Sequence, residues 1–164
     1  MGYPNHEVRQ SFLSCLLFYN AAYNAENVDV TARNIGRYLS KGDIDGMCEG
    51  FRSVFASIPY NMFLKDREAY YQTVVYLVLS IMGVKTACEI QTNKGRIDAV
   101  LETDDRIYVV EFKLGTAQEA IDQIQEKDYA GAYRNREKPL SLLGIGLDVE
   151  KSNIGDWLCL PDQV

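Results

Sequence analysis

The sequence predicts an α/β (α+β) fold, in which helices flank a mixed central β-sheet and a helical extension precedes it. Three observations support this prediction. From residue 66 onward, the apolar periodicity gives the order helix, three strands, helix, strand and a final edge strand. The segment 139–148 is apolar almost throughout, which is typical of a central strand buried on both faces. With 164 residues, 47% of them hydrophobic, the chain is long enough for a domain with a sizeable core.

The N-terminal part, residues 5–58, has the apolar spacing of three helices. Asp43 is the expected N-cap of the third helix, and Pro59 is expected to end it. The apolar faces of these helices need a cover, so we expect them to pack on the domain that follows. The predicted division is a helical extension at residues 1–60 and a domain at residues 61–164.

A further helix is predicted from Asp66 to about Met82, with Gly83 as its C-cap. Glu68 lies in the first turn of this helix, where a carboxylate complements the helix dipole. From the residues alone, this structural role and a functional role for Glu68 remain open alternatives.

A first strand from Val84 to Gln91 leads into a β-hairpin whose turn is Thr103–Arg106. If the two central aspartates of that turn are its tip, Asp98 lies directly opposite Glu111. Side chains that face each other in this way are about 5 Å apart at Cβ. Lys113 is two residues past Glu111 and therefore shares its face of the sheet.

Two facing carboxylates in otherwise apolar strands are unfavourable, because like charges repel and buried charges lose their hydration. A divalent cation removes this conflict. Mg²⁺ is usually held by one or two carboxylates together with water and substrate phosphate oxygens. A neighbouring ammonium can orient a water or stabilise negative charge on phosphate. The alternative is that Glu111 and Lys113 lie on the solvated face of an edge strand and that Asp98 has no chemical role.

Asp98, followed by Glu111-x-Lys113 and preceded by Gly95-Arg96, resembles the core motif of the PD-(D/E)XK nuclease superfamily. Ile97 stands where the superfamily name has proline. The resemblance covers roughly residues 60–160, and it implies a restriction-endonuclease-like αβββαβ core, in agreement with the element order. In similar bacterial proteins the nuclease domain follows an AAA-ATPase-like domain, so we expect such a domain upstream in the full-length protein.

The resemblance implies a nuclease that depends on Mg²⁺ or Mn²⁺ and acts on nucleic acid, with DNA as the expected substrate. Asp98 and Glu111 would bind the ion, with the backbone carbonyl of Phe112 and the carboxylate of Glu68 as further ligands. Lys113 would position the attacking water, help to deprotonate it and stabilise the charge that develops on phosphate.

The helix after the hairpin is predicted from Ala117 to about Arg134. Similar nucleases carry a Gln, sometimes with a later Tyr, on this helix, near the metal or the nucleic-acid backbone. Gln123 and Tyr129 are the candidates, but the spacing Gln125-x3-Tyr129 matches a related pattern, so the choice of glutamine is open. A solvated glutamine is the structural alternative.

Several basic side chains are candidate phosphate contacts, with solvated surface charge as the alternative for each. They are Lys94, Arg96, Arg134, Arg136 and Lys138. We assign Arg96 to substrate binding because it belongs to the motif. The net charge of −6 excludes a protein that coats nucleic acid through a basic surface. It favours a second hypothesis, a nuclease-like regulatory or nucleic-acid-binding module of a larger ATPase-containing protein, without catalysis of its own.

No apolar run approaches the roughly 20 residues of a membrane span. The N-terminal residues have no signal-peptide pattern. We therefore expect a cytoplasmic protein without membrane contact. The abrupt start of the chain suggests a fragment of a longer protein, and the sequence is compatible with both a monomer and a homo-oligomer.

Overall fold

The computed structural model describes residues 25–58, 68–81 and 83–162. Its helices are α1 (Ala25–Ser40), α2 (Ile44–Ser57), α3 (Glu68–Ile81) and α4 (Ala117–Glu126), with a 3-10 helix at Tyr129–Ala132. Its strands are β1 (Lys85–Thr92), β2 (Gly95–Glu102), β3 (Ile107–Lys113), β4 (Leu140–Asp148) and β5 (Asn153–Pro161). The first predicted helix and the predicted start of α3 lie outside the described residues.

The strands form one sheet in the order β1-β2-β3-β4-β5. Strands β3 and β4 are parallel, and the other neighbouring pairs are antiparallel. β4 is buried along almost its whole length, and β5 forms an edge of the sheet, as predicted. The mixed sheet with flanking helices confirms the predicted fold class.

Each face of the sheet packs against its own helices. Helices α1, α2 and α3 cover one face, where Phe51 and Tyr71 are among the largest fully buried side chains. Helix α4 covers the opposite face around Ile121. The N-cap of α2 is Asp43, whose Oδ1 accepts a hydrogen bond of 2.8 Å from the Gly46 N–H, as predicted. The described part of the N-terminal extension thus shares the core beneath the sheet.

The predicted hairpin is also confirmed. Glu102 pairs with Ile107 across its turn, and the Thr103 N–H donates to the Arg106 carbonyl at 2.9 Å. This turn sets the register of β2 against β3.

The predicted continuous helix from Ala117 to Arg134 is wrong. Helix α4 ends at Glu126, and Asp128 has a left-handed backbone (φ +49°), which a continuing α-helix does not allow. The Asp128 carboxylate accepts a hydrogen bond of 2.6 Å from Arg134, and Lys94 lies 3.5 Å away on the β1–β2 turn. These ion pairs hold the chain in the turn that ends the helix.

None of the helices within the described residues is both long and apolar enough to cross a membrane.

Candidate active site

Asp98 lies where strand β2 loses its regular pairing on both sides. Pairing with β3 stops at Ala99 and Val110, and pairing with β1 omits the pair of Asp98 with Glu89. Glu89 has a positive φ of +52°. In addition, Ile97 packs on the α4 side of the sheet and Ala99 on the opposite side, although residues two apart share a face in a regular strand. The strand is therefore irregular at Asp98.

The Asp98 carboxylate is buried, with 5% of the residue exposed. Its Oδ2 accepts a hydrogen bond of 2.9 Å from the Phe112 N–H, so a side chain replaces the backbone partner that the ladder would supply. Burial raises the pKa of Asp98 to about 6; the Phe112 N–H opposes this rise, and the charge of Glu68 adds to it.

Glu111 is buried even more deeply, with 2% exposed. One carboxylate oxygen, Oε1, accepts a hydrogen bond from the Gln123 amide of α4, whereas Oε2 is buried and has no hydrogen-bond partner among the described residues. The Lys113 ammonium lies 4.0 Å from Oε1. Burial raises the pKa of Glu111 to about 8, and the Asp98 carboxylate contributes to the rise, while Lys113 opposes it.

Glu68 brings a third carboxylate toward this pair. It is the first described residue of α3, and its charge raises the pKa values of both Asp98 and Glu111. The Gln72 amide donates a hydrogen bond of 3.2 Å to Glu68 Oε1. Sequence reasoning did not assign Gln72 a role, although its i, i+4 spacing from Glu68 was a usable signal.

Of the two candidate glutamines, the structure brings Gln123 to Glu111, while Gln125 is exposed elsewhere on α4. Tyr129 is 3% exposed and packs in the core on the α4 side. A Cβ on Gly95 would lie 2.6 Å from the Tyr129 hydroxyl, so this contact requires a glycine. Within the described residues, no hydrogen bond joins Tyr129 to the carboxylates.

Arg96 is exposed at the start of β2. Its Nη1 lies 3.1 Å from Glu89 Oε1, and its charge lowers the pKa of Asp98. Glu89 was not assigned a role from the sequence, because its place opposite Asp98 depends on the β1–β2 register.

The remaining candidate phosphate contacts pair with acidic side chains. Lys94 and Arg134 contact Asp128, Arg134 also contacts Asp162, and Arg136 and Lys138 contact Glu102. Lys113 differs from them, because Glu111 is the one acidic side chain described within 4.0 Å of its ammonium. Lys113 is therefore the basic group that belongs to the buried carboxylates.

The donors of this site fit a hard divalent cation, because they are oxygens and include one buried carboxylate oxygen without a partner in the described part of the chain. No three His, Cys, Asp or Glu side chains of the described segments form a ready-made metal cage. A cage is not required for Mg²⁺, which usually keeps several waters and uses one or two protein carboxylates. Asp98 and Glu111 together supply that number of carboxylates.

Comparison with known proteins agrees with this geometry. The chain is 34% identical over 154 residues to the uncharacterized protein in the vnfD 5' region of Azotobacter chroococcum mcd 1. That match covers 88% of this chain but 29% of the relative, so the chain spans less than a third of the relative's length. No solved structure matches the chain. A family model of the PD-(D/E)XK nuclease superfamily matches residues 66–157, which include Asp98, Glu111 and Lys113. The chain therefore belongs to the PD-(D/E)XK nuclease superfamily.

Proposed function

We propose that this protein is a metal-dependent nuclease that hydrolyses phosphodiester bonds, with DNA as its substrate. The observation that carries the proposal is Glu111 Oε2, which is buried without a partner among the described residues and lies beside a second buried carboxylate, Asp98. These two side chains would hold Mg²⁺ or Mn²⁺, with the Phe112 carbonyl and Glu68 as further ligands. A bound ion would act as a Lewis acid on phosphate and lower the pKa of its water.

The other groups of the site would orient these ligands. The Gln123 amide fixes one oxygen of Glu111, and the Phe112 N–H fixes one oxygen of Asp98, so each carboxylate keeps its second oxygen for a ligand. The Lys113 ammonium next to Glu111 would orient the attacking water, assist its deprotonation and stabilise negative charge on the phosphate.

The test is cleavage of single- and double-stranded DNA with Mg²⁺ or Mn²⁺ by the wild-type protein and by Lys113→Ala. We expect Lys113→Ala to lose at least about a hundredfold in rate while it keeps the fold, as for the loss of other charge-stabilising groups. Lys85→Ala is the matched control, because Lys85 is exposed and pairs with Glu102 near the hairpin turn. Wild-type activity in Lys113→Ala would refute the role of this lysine.

A second candidate function is a nuclease-like regulatory or nucleic-acid-binding module without catalysis. Two observations favour this module: the chain covers 29% of the relative's length, and its net charge is −6. In this case the folded protein would neither cleave DNA nor bind Mg²⁺ in calorimetry.

Within a longer protein, we propose an upstream ATPase-like domain, a helical extension at residues 1–60 and the nuclease domain at residues 61–164. We further propose a cytoplasmic protein. Light scattering of the full-length protein would decide between a monomer and a homo-oligomer, both of which the sequence allows.

A further inference from the structure

A cavity of about 470 Å³ lies between α3 and the sheet, on the face opposite α4. This volume is within the usual range of small-molecule sites, roughly 300–1,000 Å³. Most of its wall is apolar. Two aromatic residues, Tyr76 and Phe112, also line it. Its polar lining residues are Gln72, Thr73, Thr86, Glu89 and Asp98.

The cavity is continuous with the candidate active site, because three of these residues take part in both. Asp98 is a candidate metal ligand and lines the cavity. The N–H of Phe112 holds Asp98, and the Phe112 side chain packs on the cavity face. Gln72 holds Glu68 and also lines the cavity. A phosphate bound at the carboxylates would therefore have its own nucleoside within reach of the cavity.

Aromatic and apolar walls with a few polar groups suit a nucleobase better than a phosphate or a sugar. Proteins that bind an unpaired base stack it on aromatic or apolar side chains and hydrogen-bond its edge. Tyr76 and Phe112 supply rings, and the Gln72 amide can both donate and accept. The acidic residues of the lining, Glu89 and Asp98, would repel a phosphate that entered the cavity without a cation.

We propose that this cavity binds one base of the strand being cleaved, so that the substrate is single-stranded. This inference rests on the proposed nuclease function and specifies its substrate. A base inside a duplex is stacked and paired, and cannot enter the cavity without being extruded.

The test fills the cavity with an added ring. Cys88 is half-buried on β1, lines the cavity and is not in a disulfide, so Cys88→Phe places a phenyl group in the proposed site. Thr86→Phe does the same from a second position on β1 if the first variant does not fold. Ser80→Phe is the matched control, because it adds the same ring to an exposed position of α3 that does not line the cavity.

The probe is a single-stranded oligonucleotide that carries 2-aminopurine, in the presence of Ca²⁺. Binding is measured from the change in 2-aminopurine fluorescence. We expect both the wild-type protein and Ser80→Phe to change the fluorescence. Both should bind the single strand at least about tenfold more tightly than its duplex, because stacking one base on an aromatic side chain contributes enough binding free energy for that difference. Cys88→Phe or Thr86→Phe should lose this preference.

Wild-type binding by both folded filling variants would overturn the proposal, and so would equal affinity for strand and duplex. Free adenosine monophosphate that binds as tightly as the strand would also overturn it, because the cavity would then hold a separate nucleotide. The nuclease proposal fails differently: no cleavage with Mg²⁺ despite intact, cavity-dependent binding of the strand.

Discussion

Glu111 should destabilise the metal-free protein at neutral and alkaline pH. Its ordinary pKa of 4.5 rises to about 8 in the folded state, so the folded protein retains a proton that the unfolded chain has already lost. The free energy of unfolding must then fall as the pH rises from about 4.5 through 8. For this one group, the loss at pH 8 is roughly 4 kcal/mol, since each pH unit between the two pKa values corresponds to about 1.4 kcal/mol. The pKa of Asp98 rises to about 6, so this group also lowers the free energy of unfolding as the pH rises, over a lower pH range.

The perturbation is Glu111→Gln, which removes the ionisable group and keeps an oxygen to accept the Gln123 hydrogen bond. Urea unfolding in EDTA, measured from about pH 5 to pH 8, gives the free energy of unfolding at each pH. We expect the wild-type protein to lose much more stability over this range than Glu111→Gln. The slope is the quantity to compare, because the new amide nitrogen is itself buried and shifts the absolute stability of the variant.

Glu126→Gln is the matched control, because the same change is made at a position with 76% of the side chain exposed. It should keep the wild-type slope. Parallel curves for wild type and Glu111→Gln would refute the reasoning, because Glu111 would then ionise alike in both states. Mg²⁺ added at pH 8 should restore stability to the wild-type protein and less to Glu111→Gln, because only ligands that bind the folded state stabilise it.

Three further predictions follow from single contacts. Asp98→Asn keeps an acceptor for the Phe112 N–H but removes the charge, so calorimetry should show weaker Mg²⁺ or Mn²⁺ binding; unchanged affinity would remove Asp98 from the ligand set. Gln123→Leu leaves Glu111 without its orienting hydrogen bond and should weaken metal binding by about tenfold, as the loss of a side chain that orients a metal ligand does. Equal affinity would assign Gln123 to packing. In the capping box of α4, the side chains of Thr116 and Glu119 each accept a hydrogen bond from the other residue's backbone N–H. Thr116→Ala breaks this box and should lower the free energy of unfolding, measured in urea, by about 1 kcal/mol. An unchanged free energy of unfolding would mean that the cap does not stabilise the protein.

The hairpin and its carboxylates could be predicted from the sequence because alternation and turn length set a strand register. The Thr103–Arg106 turn brings Asp98 and Glu111 to the same end of the hairpin. The predicted direct pairing of these two residues is absent, because the β2–β3 ladder ends at Ala99 and Val110. Lys113 then follows from the period of two. Glu68 and Gln123 came from the family resemblance, since their distance from the pair depends on how two helices pack on the sheet.

What the sequence did not reveal depends on contacts between distant segments. The end of α4 is set by Asp128, which contacts Lys94 from another element of the chain. The irregularity of β2 at Asp98 is absent from any alternation pattern, because a pattern assumes a regular strand. The cavity depends on the separation of α3 from the sheet, which no local spacing encodes.

The atoms that would bind the proposed cation also affect the stability of the fold. Gln123 and the Phe112 N–H each satisfy one carboxylate oxygen, which fixes the two side chains in place. Glu111 Oε2 is buried and has no partner among the described residues. A buried polar group without a partner normally destabilises a protein by about 1–3 kcal/mol, or more if it is charged. A donor placed against Oε2 would stabilise the metal-free fold, but it would occupy the oxygen that a cation needs. The destabilising arrangement is therefore what the proposed metal site would require, and a bound cation would remove the penalty.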